Sequence, residues 1–165
     1  MDDVNIPLAG AFALRKISST YTGALLRIRR ISDNSEQDIF ATSTGALDTG
    51  AITTFAGVSG TAHVTKWYDQ SGNANHTVQT NNSSQPKIFG AGAFFLKNGK
   101  PTIRFDTLGQ TLVSINRMVN NEANNAVNIV FSSDDGNKTP IDLNATDSQR
   151  FSFHSDVVWD YGQNW

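Results

Sequence analysis

Short runs of strand-forming residues, separated by turn-forming residues, recur along almost the whole of this 165-residue chain. Spacings of about 8–12 residues between such runs are typical of antiparallel all-β domains, in which two sheets enclose the core. We therefore predict an all-β fold built as an antiparallel β-sandwich or jelly roll. The predicted strands cover residues 8–14, 25–31, 38–40, 63–68, 77–79, 86–88, 102–105, 110–113, 126–132, 150–154 and 157–161.

Only one segment has the pattern of a helix, and we place this short helix near residues 48–56. Asp48 or Thr49 can cap its first turn, because a side-chain oxygen accepts a hydrogen bond from a free backbone N–H there. Ile52 and Phe55 lie on one face at helical spacing, and Gly57 is a suitable C-terminal stop.

The length and composition favour one domain over residues 8–165, preceded by an N-terminal arm at residues 1–7. The chain has no cysteine, which excludes disulfides, cysteine nucleophiles and thiolate metal sites. We read the end of the chain as a shortened C-terminus of the domain.

Charge and hydropathy give little reason to expect a nucleic-acid or membrane partner. The formal net charge is -2, and no stretch approaches the roughly 20 apolar residues of a membrane span. Arg27, Arg29 and Arg30 form a basic cluster, but the apolar residues between them indicate a strand. Pairing with carboxylates is the favoured interpretation, and a nucleic-acid patch is the alternative. The N-terminus lacks the pattern of a secretion signal. We expect a homo-oligomer or a protein present in several copies.

Residues 67–73 combine two aromatic side chains with a carboxylate, two amides and a hydroxyl at the end of a predicted strand. Flat aromatic faces beside hydrogen-bonding groups suit sugar recognition, so this loop is the candidate glycan-binding site. The alternatives are a core role for the tryptophan and a loop-holding role for the aspartate, which would accept backbone N–H bonds. The candidate binding residues are Trp67, Tyr68, Asp69, Gln70, Asn73 and His76.

No metal or cofactor is predicted. His63 and His76 lack the spacing of a zinc site, and a simple turn at residues 134–137 is favoured over a calcium loop. Phe94 and Phe95 are either core residues or a contact with another subunit.

Several segments in order resemble the catalytic β-sandwich of arabinofuranosidase B-type glycosidases. The same segments resemble related domains of phage structural and bacterial surface proteins. The resemblance implies a concanavalin A-like (laminin G-like) jelly roll. It is carried by residues 13–16, 21–23, 27–34, 37–39, 47–57, 67–73, 75–76, 85–88 and 98–106, with a typical strand pair at 149–154 and 158–162.

The chain departs from the glycosidase pattern at the site of catalysis. The adjacent cysteine pair of those enzymes is missing, and their catalytic carboxylates lie beyond the matched motifs, so the resemblance assigns no catalytic residue here. We therefore expect a non-enzymatic structural or adhesion module of a phage virion, as a capsid decoration, fibre or tail component with weak glycan binding. Its partners would be other virion proteins or surface glycans, and its location a virion or the extracellular surface. An arabinofuranosidase-like hydrolase, with Asp69 or Asp160 as a functional carboxylate, is the alternative, and a purely structural domain is a third hypothesis.

Overall fold

A computed structural model describes residues 8–107 and 109–114, together with the backbone of three strands between residues 141 and 161. The predicted arm at 1–7, the strand at 126–132 and the turn at 134–137 lie outside the described residues. The chain divides into two compact units, residues 1–115 and 116–165. Within the described residues no helix has the length and apolarity that a membrane crossing requires.

The first unit is built on antiparallel strands, as the turn-separated runs predict. Seven of its strands form one sheet in the order β2-β1-β3-β4-β9, with β5 paired to both β3 and β6, and β7 and β8 form a separate hairpin. Its strands are β1 (Leu26–Arg30), β2 (Glu36–Ile39), β3 (Ala62–Trp67), β4 (Thr77–Val78), β5 (Lys87–Gly90), β6 (Ala93–Phe94), β7 (Leu96–Lys97), β8 (Lys100–Pro101) and β9 (Val113–Ser114).

Strand β3 is the centre of this sheet. It pairs with β1 along one side, with β4 at Lys66 and Trp67, and with β5 at Ala62 and His63. Because β4 meets the C-terminal end of β3, the loop that follows Trp67 is held at the edge of the ordered sheet. That loop contains the candidate binding residues.

Helix α1 (Thr49–Ala56) confirms the predicted helix. The Asp48 side chain accepts from the N–H of Ala51, and the N–H of Gly57 donates to the carbonyl of Thr53 at the other end. The predicted N-terminal cap at Asp48 and the predicted C-terminal stop at Gly57 are therefore both present. Ile52 and Ala56 are the buried residues of the helix, and they join the core formed by the sheet.

The core lies on one face of β1 and its neighbours. Leu26 and Ile28 alternate with Arg27 and Arg29 along β1, so that the apolar side chains share a face. The buried cluster takes residues from β1, β2, β3, β5 and α1. Its members are Leu25, Leu26, Ile28, Ile39, Leu47, Ile52, Ala56, Ala62, Val64, Ile88 and Phe89.

Two predicted strands are wrong, and the strand predicted at 110–113 is displaced to β9 (Val113–Ser114). Residues 8–14 form no strand, because side chains of the 67–75 segment bind this backbone in place of a β-ladder. Residues 102–105 make a single bridge, between Arg104 and Lys87. The preceding turn is as predicted: Asn98 and Gly99 have φ values of 48° and 71°, which suit a two-residue hairpin between β7 and β8.

The second unit contains an antiparallel three-stranded sheet, ordered β10-β11-β12. Its strands are β10 (Ile141–Asp142), β11 (Arg150–Phe153) and β12 (Val158–Tyr161). The strands predicted at 150–154 and 157–161 are thus confirmed as a pair. The described chain is mostly antiparallel β-structure with one short α-helix, which is consistent with the predicted sandwich.

Candidate functional site

The loop after β3 is organised around the carboxylate of Asp69, which is only 3% exposed. Its Oδ1 accepts from the N–H of Ala11 at 2.7 Å and from the N–H of Ser71 at 2.8 Å. Its Oδ2 accepts from the Ser71 hydroxyl at 2.7 Å and from the N–H of Asn75 at 3.0 Å. Burial raises the pKa of Asp69, but these hydrogen bonds outweigh it and leave the pKa below its usual value. Asp69 therefore holds the loop as an ionised structural anchor.

Gln70 and Asn73 also bind backbone rather than facing a ligand. The buried amide of Gln70 accepts from the N–H of Ile17 and donates to the carbonyls of Ala13 and Arg15. Asn73 donates its amide N–H to the carbonyl of Leu8 at 2.6 Å. These two predicted binding residues fasten the N-terminal segment to the loop.

Trp67 points to the same N-terminal segment. Its indole N–H donates to the carbonyl of Ala13, and its ring meets Phe12 edge-on at a centroid distance of 5.7 Å. The side chain is half-buried and packs against the core. The geometry therefore matches the structural alternative for Trp67.

Tyr68 lies on the opposite side and is fixed by a chain of polar contacts. Its hydroxyl donates to Oδ1 of Asp38 at 2.8 Å, and Arg27 donates to both oxygens of that carboxylate at 2.7 and 3.0 Å. The Lys66 ammonium lies 5.1 Å from the centroid of the tyrosine ring. Burial and the bond to Asp38 raise the pKa of Tyr68 to about 12, so the phenol is neutral at ordinary pH.

His76 lies beside Tyr68, with the two rings edge-on and their centroids 4.9 Å apart. Its Nδ1 accepts from the N–H of Asp69 at 3.1 Å. Since Nδ1 is an acceptor, the neutral ring carries its proton on Nε2. Burial, followed by the nearby Lys66 charge, lowers the pKa of His76 and keeps the ring neutral near pH 7.

Tyr68 and His76 line an open depression of about 350 Å³. Three of the six predicted residues, Tyr68, Asp69 and His76, border it, whereas the other three point elsewhere. The sequence reasoning missed several of its walls. The complete lining is Tyr21, Gly23, Ala24, Asp38, Phe40, Tyr68, Asp69, Gly72, Ala74 and His76.

The missed residues come from β2 and from the turn before β1. Asp38 stands opposite Arg27 in the β1–β2 register. This pairing of opposite charges is the sequence signal from which the position of Asp38 was predictable. Tyr21 donates its hydroxyl to the carbonyl of Ala24, which holds the ring over the turn. Phe40 is 50% exposed at the end of β2.

The three arginines of the basic strand are occupied within the protein. Arg27 pairs with Asp38, and Arg30 pairs with Asp33. Arg29 is buried and donates to the side chains of Gln85 and Asn34. The carboxylate pairing predicted for this strand is thus present for two of the three guanidinium groups.

The carboxylates of the described residues are nearly all used in structure. Asp33, Asp38 and Asp106 pair with basic side chains, and Asp48 caps α1. Glu36 is exposed on β2. Within the part of the chain that the structure describes, no three histidine, aspartate or glutamate side chains group to hold a metal ion.

The sequence matches one protein family model and is similar to known fungal proteins. The family model described as alpha-L-arabinofuranosidase B, catalytic, matches residues 2–137. Alpha-L-arabinofuranosidase B from Aspergillus oryzae is 42% identical over 65 residues, which are 39% of this chain and 13% of that protein. A probable alpha-L-arabinofuranosidase B from Aspergillus flavus is 40% identical over 65 residues, with the same shares of each chain.

Solved structures of arabinofuranosidases are similar over part of the chain. One, complexed with arabinofuranosyl-alpha-1,2-xylobiose, is 36% identical over 44% of this chain and 15% of its own, with a TM-score of 0.41. A GH54 α-L-arabinofuranosidase soaked with a cyclic sulfate inhibitor is 27% identical over 57% of this chain and 24% of its own, with a TM-score of 0.46. The matches thus span less than a quarter of the relatives' lengths.

These matches correct the predicted function. The expectation of a non-enzymatic phage virion module, as a capsid decoration, fibre or tail component, is wrong, because the family model that covers residues 2–137 describes a catalytic domain. The leaning against an enzyme is wrong for the same reason, and the alternative of a glycoside hydrolase is the better supported one.

Proposed function

Because the chain belongs to the alpha-L-arabinofuranosidase B catalytic family, we propose that it is a glycoside hydrolase acting on α-L-arabinofuranosides. The observation that carries the proposal is the family match over residues 2–137. The related enzymes have the same activity in their names. An extracellular location is compatible with these fungal relatives, whereas nothing supports a virion.

We also propose the finer fold assignment, a concanavalin A-like jelly roll, for the complete catalytic domain. The antiparallel sheet around β3 and the strand pair β11–β12 support it. Self-association into a homo-oligomer stays a prediction.

Hydrolysis of a glycosidic bond needs two carboxyl groups on opposite sides of it, about 5–5.5 Å apart for retention or about 6.5–9.5 Å apart for inversion. Asp69 does not suit either role, because its four accepted hydrogen bonds leave it neither a free lone pair nor a mobile proton. Asp38 is ion-paired with Arg27 and accepts from Tyr68, and its lowered pKa makes it a poor general acid or base. The described unit therefore acts as the scaffold of the catalytic domain.

We propose that the catalytic pair lies outside the described part of the first unit. Seven carboxyl-bearing residues follow residue 115, and we propose that the acid and its partner are among them. They are Glu122, Asp134, Asp135, Asp142, Asp147, Asp156 and Asp160.

The test is the release of 4-nitrophenol from 4-nitrophenyl α-L-arabinofuranoside by the purified chain. Each of the seven carboxylates is replaced by its amide, and exposed Glu36→Gln is the matched control. We expect two of the seven variants to lose activity by about 100-fold or more at unchanged melting temperature, since each general acid or base contributes that much. A folded wild-type protein that releases no 4-nitrophenol overturns the proposed function. Activity that survives all seven replacements overturns the location of the pair.

A further inference from the structure

The depression that Tyr68 and His76 line has no role in the first unit's function as a scaffold. Its aromatic lining is Tyr21, Phe40, Tyr68 and His76, and its acidic lining is Asp38 and Asp69. A volume of about 350 Å³ lies at the low end of the range for small-ligand sites. The opening is wide, so a ligand could continue beyond the depression at either side.

The charges around the depression are compensated. Asp38 is ionised, because the hydrogen bond from Arg27 lowers its pKa, but the same guanidinium neutralises it. Tyr68 and His76 are neutral near pH 7, and Asp69 is saturated by N–H and O–H donors. The Lys66 ammonium lies over the Tyr68 ring but outside the lining, so an anionic ligand within the depression would meet the carboxylate of Asp38 first. The site therefore favours a neutral polar ligand.

The aromatic groups are held in place before any ligand arrives. Tyr68 is fixed by Asp38 through its hydroxyl and by His76 through its ring edge. Pre-ordered side chains reduce the entropy that binding would otherwise cost. Phe40, half-exposed at the rim, offers an apolar face to the C–H groups of a sugar ring.

Hydrogen-bonding capacity remains at two atoms. Oδ2 of Asp38 accepts one bond, from Arg27 at 3.0 Å, and the aspartate side chain is 29% exposed. Nε2 of His76 carries a proton, because Nδ1 is already an acceptor. Together they present an acceptor and a donor next to aromatic faces, which matches the alternating hydroxyls and C–H faces of a neutral sugar.

We propose that this depression binds a sugar unit of the neutral glycan backbone that bears the arabinofuranosyl groups. The proposal rests on the proposed function for the choice of glycan, and it assigns the depression to substrate-chain binding rather than to bond cleavage. Phe40 supplies the stacking face, and Asp38 and His76 supply the polar contacts.

Xylotetraose is the probe, because it is neutral and contains no arabinofuranosyl bond that the chain could cleave. It is titrated into ¹⁵N-labelled full-length protein, and backbone amide shifts are followed at Phe40, Tyr68 and His76. We expect saturable shifts at these residues and none at Phe105, which is also exposed but lies outside the lining. Tetragalacturonate, which is anionic, should bind more weakly.

The matched variants are Phe40→Ala and Phe105→Ala. Loss of the Phe40 ring should weaken xylotetraose binding by roughly 2- to 10-fold, whereas Phe105→Ala should leave it unchanged. Shifts that map away from the depression, equal binding by Phe40→Ala, or tighter binding of tetragalacturonate would each overturn the proposal. Binding at the depression by a protein that fails the 4-nitrophenol assay supports the site and removes the hydrolase, so the two failures are distinguishable.

Discussion

Replacing Asp69 by asparagine separates the structural role of this residue from a catalytic one. The amide can keep an oxygen toward the N–H groups of Ala11 and Ser71, which lie 2.7 and 2.8 Å from Oδ1. Its NH₂ group then stands where Oδ2 accepted from Asn75, so two donors face each other. The part-buried N–H of Asn75 loses its bond to Asp69, and the remaining bonds lose their charge assistance. We expect a loss of about 2–4 kcal/mol in the free energy of unfolding.

The loss of stability caused by Asp69→Asn also has a defined pH dependence. Asp69 has a pKa below its usual value in the folded protein, so its contribution to stability is present above the unfolded pKa of about 3.9. That contribution is lost as the pH falls through the lower folded value. The difference in stability between wild type and Asp69→Asn should therefore be full near pH 7 and shrink below about pH 4.

Thermal unfolding followed by circular dichroism measures this difference, with Glu36→Gln as the control that removes the same charge from an exposed position. For a chain of this size, each kcal/mol corresponds to a shift of about 2–4 °C in the melting temperature. We expect Asp69→Asn to melt lower by roughly 4–16 °C and Glu36→Gln to stay close to wild type. An unchanged melting temperature together with lost hydrolysis would refute the structural assignment and make Asp69 a catalytic candidate.

Two further variants test the packing around the sheet. Gln85→Leu removes the acceptor that lies 2.7 Å from Nε of buried Arg29, and it should cost roughly 2–4 kcal/mol in urea denaturation, whereas exposed Gln37→Leu should cost little. Equal midpoints for the two leucine variants would contradict this. Gly60→Ala would place a Cβ atom 1.8 Å from the carbonyl oxygen of Ala56, so the same assay should show a loss of about 1–3 kcal/mol. A wild-type midpoint for Gly60→Ala would mean that the end of α1 moves freely.

The parts of the fold that depend on neighbouring residues were predictable from the sequence. The cap at Asp48, the stop at Gly57 and the Asn98-Gly99 turn each follow from backbone hydrogen bonding or positive φ within a few residues. The alternation of β1 likewise placed Leu26 and Ile28 on the core face. Such local rules require no knowledge of distant segments.

The features that depend on distant residues were harder to predict. Residues 8–14 have strand-like composition, but their backbone is bound by side chains about 60 positions away, such as Asp69 and Asn73. The same contacts use up groups that looked suitable for a ligand. The depression joins Tyr21, Phe40 and Tyr68 from separate segments, and the registers of β1 with β2 and of β1 with β3 together bring Asp38 beside Tyr68.

Covalent trapping tests the central claim most directly, namely that this chain is a hydrolase whose described unit is the scaffold. The purified protein is incubated with an arabinofuranose-configured cyclic sulfate, and peptide mass spectrometry locates any adduct. For a retaining pair of carboxyl groups the account predicts one adduct, on a carboxylate among Glu122, Asp134, Asp135, Asp142, Asp147, Asp156 and Asp160, with loss of 4-nitrophenyl α-L-arabinofuranoside hydrolysis. An adduct on Asp38 or Asp69, or a folded protein that neither reacts nor hydrolyses, would contradict it.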